Sequence, residues 1–256
     1  MASDHAATLA GDIDTLVKVE QIRLSVEQVR RIPVAHAAVD VCVSWVAWQV
    51  GLHTFALLWL AVMTICQLTR TAHVSYLYRR GTTAPSAMLA ILAAWLAFLG
   101  FVHAVLVVRV FTTPISEFHY ILTMIMVGNA AGAVSPAAGH LRSYLMWGVI
   151  FGGALAASWL ARGTLEGAAI AFLLLMLFFV LSTYVRDQGR MLVTLVTLTD
   201  SLRKERDRAE RASAAKTRFF AAASHDLRQP LTALAYNAAT VQVLAADSGD
   251  EILARV

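Results

Sequence analysis

Charge is scarce in this sequence. Only 15% of its 256 residues are Asp, Glu, Lys or Arg, against about 25% in a soluble domain. A deficit of that size argues for several membrane spans. The 58% share of hydrophobic residues and the mean hydropathy of +0.63 agree. Cysteine is nearly absent. Cys42 and Cys66 both fall in apolar stretches and read as buried free thiols, which excludes a disulfide framework and a cysteine-based metal site. A concentrated basic patch is also missing. The net charge is +4, and the basic residues are spread over the N-terminal segment, short loops and the C-terminal third. Nucleic-acid binding wants them gathered on one face, so no nucleic-acid partner is expected. No signal peptide is evident, because residues 1–31 are polar and charged and the first apolar run comes too late.

What is present begins with a helical stripe. Residues 1–12 read as disordered, and Ile13, Leu16, Val19, Ile22, Val26 and Val29 then recur at spacings of three and four. Lys18, Arg23, Arg30 and Arg31 lie off the stripe. This is the pattern of an amphipathic helix resting on the cytoplasmic leaflet or on a partner subunit. Pro33 ends or kinks it.

A spanning helix needs about 20 apolar residues. Six candidates follow, at 33–50, 53–69, 86–110, 117–136, 141–160 and 165–185. The first two form a tight hairpin around Gly51, Pro85 and Pro114 mark helix starts, and Pro136 with Gly139 ends the fourth span. Arginines gather in alternate connections: Arg23, Arg30 and Arg31; Arg70, Arg79 and Arg80; Arg142; Arg186 and Arg190. The other connections hold few, with Arg109 and Arg162 the exceptions. The positive-inside rule therefore puts both termini in the cytoplasm, and an even number of spans agrees.

Ionisable side chains inside spans are costly and often functional. Asp40 is the deepest acid and is grouped with His103 and Asn129 as facing the bundle interior, while His36, His53 and His73 sit nearer the surfaces. Two readings stay open for the first three. They line a ligand pocket, or they form interhelical hydrogen bonds that fix packing. Gly128, Ala131, Gly132, Gly148, Gly152 and Gly153 would let helices approach closely.

Beyond residue 185 the character changes. RKERDRAER at 203–211 is a dense charge run on a helical pattern. One heptad register runs without a break through Leu192, Leu195, Leu202, Ala209, Phe220, Ala223, Leu227, Pro230 and Leu234. It is the seam of a parallel coiled coil, weak at Arg206, Ser213 and Lys216; a solvated single helix is the alternative. The register places His225 at the outermost heptad position, facing solvent. Ser248 and Glu251 fit a capping box, so a second helix should start near Gly249.

The run FFAAASHDLRQPL at 219–231 carries the chemistry. An unperturbed imidazole is mostly neutral at pH 7 and can act as a nucleophile. Asp226, next in sequence, can hold one ring nitrogen of His225 and absorb developing positive charge while the other attacks. Arg228 can assist a transferring phosphoryl group locally or form a salt bridge.

Residues Ser224 to Leu231 resemble the Ser-His-(Glu/Asp)-Leu-Arg-x-Pro-Leu box of sensor histidine kinases, and Phe219 with Phe220 resembles its preceding aromatic pair. The resemblance implies that His225 is the phosphoacceptor and Asp226 its acid/base partner. Gln229 stands where many family members use Thr or Asn to position a water that dephosphorylates the response regulator. It further implies ATP and Mg as cofactors of the full-length protein, a homodimer, and a cognate response regulator or receiver domain as partner. VEQIRL at 19–24 and the six spans are similar to a group of bacterial hybrid sensor kinases. That group implies an inner-membrane sensor for a small, apolar signal, in contact with membrane lipids.

No Asn box, glycine-rich ATP box or P-loop is found, so this chain by itself is expected to bind no ATP. The expected fold is all-α: a cytoplasmic segment (1–31), a six-helix membrane domain (32–185), a signalling helix (186–216) and a partial dimerisation and phosphoacceptor domain (217–256). A non-catalytic receptor or scaffold that recruits cytoplasmic partners is the alternative. A transporter is disfavoured, because the spans show neither a repeat nor a charged pore line.

Overall fold

Helix punctuation in the sequence sets the architecture. The computed structural model describes the backbone of residues 2–31, 33–135 and 137–248, and the side chains of 13–30, 36–135 and 137–244. Among the described residues there are seven helices and no strand. They are α1 (Ala2–Arg31), α2 (Pro33–Gln49), α3 (His53–Arg80), α4 (Pro85–Phe111), α5 (Glu117–Gly132), α6 (Leu141–Leu160) and α7 (Leu165–Ser248). Pro136, Glu251 and the helix expected near Gly249 lie outside the described residues.

The starts and stops have local causes. Gly51, at φ +85°, turns α2 into α3, and the Leu52 N–H donates to the Ala47 carbonyl at 3.0 Å. Pro85 opens α4, where a missing N–H costs nothing because the first turn has no partner for it. Ser116 caps α5, and His119 closes the box. The His119 Nδ1 accepts the Ser116 N–H at 3.2 Å while its Nε2 meets the Val110 carbonyl at 3.2 Å.

Four helices, α3, α4, α6 and α7, are long and apolar enough to cross a membrane. The exposed side chains fit lipid better than water. Leu57, Leu58, Ile65 and Leu68 on α3, and Phe172, Leu173 and Phe179 on α7, are all exposed. A soluble protein seldom leaves so much apolar surface uncovered. Several long apolar helices thus suggest a membrane protein. α2 and α5 have 17 and 16 residues. At 1.5 Å per residue they reach about 26 and 24 Å, less than the ~30 Å of a hydrocarbon core.

The chain divides into two compact units after Thr197, and α7 contributes to both. In the first unit α4 packs most extensively on α6, and α2 packs on α3 and α5. Met63, Leu106, Leu122, Met126, Phe151 and Leu155 are fully buried there. Between lipid-embedded helices, close packing and hydrogen bonds replace the hydrophobic effect as the attraction. The Trp59 Nε1–H accordingly donates to the Val102 carbonyl at 2.9 Å, and the Trp159 Nε1–H to Thr123 Oγ1 at 2.9 Å. Phe178 of α7 lies over Gly148 and Gly152 of α6, where a Cβ on Gly152 would come within 2.4 Å of its ring. Gly139 approaches Gly189 so closely that a Cβ at 139 would lie 2.6 Å from the Gly189 backbone. Gly128, Gly132 and Gly153 face open space instead.

Four sequence expectations are corrected. The N-terminal helix starts at Ala2, so residues 2–12 are helical and not disordered. The face of α1 that is buried carries Val17, Gln21, Ile22, Ser25, Val26 and Val29, whereas Leu16 and Val19 of the expected stripe are exposed. That face packs on Val74 of α3 and on Met88, Leu89 and Leu92 of α4, so it rests on its own bundle. The second span does not end at residue 69, because the helical hydrogen bonding of α3 continues to Arg80. Finally, Cys42 is exposed and Cys66 only half-buried, because apolar residues of a membrane helix also face outwards.

The second unit is helix throughout its described residues. From Ser201 to Leu244 every described side chain is exposed except the half-buried Ala223. Pro230 lies inside the helix without breaking it. It has no N–H, so the Asp226 carbonyl loses its partner one turn on.

Candidate functional site

Two His–Asp pairs stand out, one in each unit. His225 and Asp226 share a turn of α7, and their side chains are 68% and 80% exposed. His225 Nδ1 lies 3.5 Å from Asp226 Oδ1, at the outer limit of a hydrogen bond. That contact occupies one ring nitrogen and leaves Nε2 towards solvent. Gln229 and Arg228 follow on the same exposed helix, and Arg228 joins Ser224, Leu227, Leu231 and Tyr236 along an open groove. The seam residues Phe220, Leu227 and Leu234 are also exposed.

The second pair is buried. Asp40 of α2 and His103 of α4 are each about 5% exposed, with His103 Nε2 3.6 Å from Asp40 Oδ1. His103 Nδ1 lies 2.9 Å from the Leu99 carbonyl oxygen, an acceptor, so Nδ1 carries the hydrogen and donates it. Trp59 and Phe151 pack edge-on against the imidazole ring.

Asp40 and His103 line a cavity of about 30 Å³ together with Asn129 of α5, so the three residues singled out in the sequence do converge. Their common volume is the size of one water molecule. His36 lines it as well and is half-buried.

Sequence reading missed Arg70. The pattern of arginines sets it in a connection, yet it lies within α3, 7% exposed, and lines the same cavity. Asp40 is the one acid that lines the cavity with it. A signal was available: Arg70 lies ten residues before the paired Arg79 and Arg80 that end α3, nearly three helical turns inside the element.

Outside the spans, His140 precedes α6 with its Nδ1 2.6 Å from Ser143 Oγ. Burial, with Arg142 adding to it, pushes the His140 imidazole below the usual histidine range. On α1, the hydrogen bond from Arg23 holds the Glu20 carboxyl below its ordinary value. Among the described residues no group of three His, Cys, Asp or Glu could hold a metal ion.

Compared with known proteins, the chain matches no family model, no curated protein and no solved structure.

Proposed function

We propose that this chain is the sensing and phosphoacceptor portion of a membrane-bound sensor histidine kinase. The observation that carries the reading is the exposed His225 beside Asp226 on α7, a helix whose first part is apolar enough to span a membrane. Asp226 orients the ring through Nδ1, and the Nε2 lone pair attacks the γ-phosphorus of ATP held by a catalytic domain of the full-length protein; the bond to the β–γ bridging oxygen breaks and ADP leaves. A metaphosphate-like transition state asks little covalent chemistry of the protein, so position and charge do most of the work. Asp226 stabilises the imidazolium as the bond forms. Gln229, one turn on, can orient a water for the reverse hydrolysis at the response regulator.

In this reading all six apolar helices from α2 to the start of α7 cross the bacterial inner membrane, with both termini cytoplasmic. The short α2 and α5 cross where neighbouring helices shield their ends. Exposed Phe220, Leu227 and Leu234 meet the same residues of a second copy in a parallel coiled coil. A small apolar signal among the spans alters α7, and the weak seam passes the change to His225.

The test uses the full-length protein in liposomes with radiolabelled ATP. Wild type should gain an acid-labile, base-stable phosphate, and His225→Gln should gain none. Equal labelling of His225→Gln would refute the reading.

A further inference from the structure

We propose that the cavity among Asp40, Arg70 and His103 is a binding site for one water molecule that joins α2, α3 and α4. The inference is independent of the kinase reading.

It starts from hydrogen accounting. Because His103 donates through Nδ1, its Nε2 is either a bare lone pair or carries a second proton. Nε2 is buried and has no hydrogen-bond partner among the described residues, and Asp40 Oδ1 lies 3.6 Å from it. A lone pair facing a carboxylate oxygen is repulsive, so a hydrogen must come between them.

Charge counting decides where that hydrogen comes from. Arg70 is charged at neutral pH. Asp40 is the one acid lining the cavity, and His36 is the remaining titratable group there. Asp40 and Arg70 already cancel. An imidazolium at His103 would leave two cations for one anion in a buried site, where an uncompensated charge is expensive. The imidazole is therefore uncharged, and the hydrogen comes from a neutral donor.

Arg70 supplies the third constraint. Its Nε–H is buried and finds no acceptor. One water satisfies all three groups: it accepts from Arg70 Nε–H and donates to His103 Nε2 and to Asp40 Oδ1. Three hydrogen bonds are typical of a buried water, and a cavity of about 30 Å³ has room for one. Gln67 of α3 and Asn129 of α5 border the same space.

Solid-state NMR of the ¹⁵N-labelled full chain in liposomes tests the site. His103 should show the singly protonated Nδ1–H form with a hydrogen-bonded Nε2. Water-edited spectra should show magnetisation reaching Arg70 Nε and the His103 ring as fast as it reaches surface residues, and far faster than it reaches the fully buried Met63. A doubly protonated His103 ring would overturn the proposal. So would transfer to Arg70 as slow as to Met63. His103→Phe keeps a ring between Trp59 and Phe151 and should slow the transfer to Arg70; unchanged transfer would also count against the bridge.

Discussion

His103–Asp40 and His225–Asp226 hold the same two side chains at nearly the same separation, 3.6 and 3.5 Å. They differ in everything around them. The first pair is about 5% exposed, draws its members from two helices, and has a buried arginine beside it. The second is 68% and 80% exposed and comes from adjacent residues of one helix. In a low-dielectric interior each orphaned polar atom matters, so the first pair governs how helices fit. In water the same contact is worth little to stability, and the second pair is free to do chemistry. Distance alone therefore says little about what a His–Asp pair is for.

The largest expected effect tests the exposed pair. His225→Gln should abolish phosphate incorporation in the full-length protein while leaving its thermal unfolding unchanged. At the buried pair the pattern should invert. Asp40→Ala leaves Arg70 without its countercharge and should destabilise the bundle by about 3–5 kcal/mol, read by denaturant unfolding in detergent micelles. If Asp40→Ala unfolds like wild type, the buried pair has no structural role.

Asp226→Asn should lower the labelling rate about a hundredfold or more, in line with the loss of an acid–base partner, again without moving the unfolding midpoint. Next in size comes Gly152→Ala. Its Cβ would meet the Phe178 ring at 2.4 Å, and overpacking of that kind costs about 1–3 kcal/mol. Gly153→Ala faces open space and should cost far less, so the two variants compare packing on neighbouring residues.

The smallest effect is a pH dependence at His140. Its folded-state pKa is lowered by burial and by Arg142, so the unfolded chain binds the proton more readily. Its contribution is fully present above about pH 6.5 and is lost as the pH falls from there towards the lowered folded value. His140→Gln should flatten that part of the stability profile.

Much of this was legible in residues taken one at a time. Pro85 announces α4, and the apolar runs at 141–160 and from 165 reappear as α6 and the start of α7. Residues 192–234, which carry the heptad pattern, also lie on continuous helix. Arg70 was misplaced because a positive charge before Arg79 and Arg80 looks like a loop when the helix is assumed to stop early. The buried face of α1 was misjudged because a stripe of the most apolar residues need not be the face its neighbours can fit. Gln21 and Ser25 are buried there beside Ile22 and Val26, while Leu16 and Val19 stay out.

Local patterning along the chain is enough to make it helical and apolar, to start α4, α6 and α7, and to set His225 and Asp226 on one helical turn. Those are local properties, set by side-chain periodicity, proline and hydropathy within one segment. That Asp40, Arg70, His103 and Asn129, from four different helices, line one small cavity follows from the packing of those helices. Periodicity orients a residue around its own helix axis but carries no distance to another helix. That distance follows from how closely the helices pack, as where Phe178 settles over Gly152.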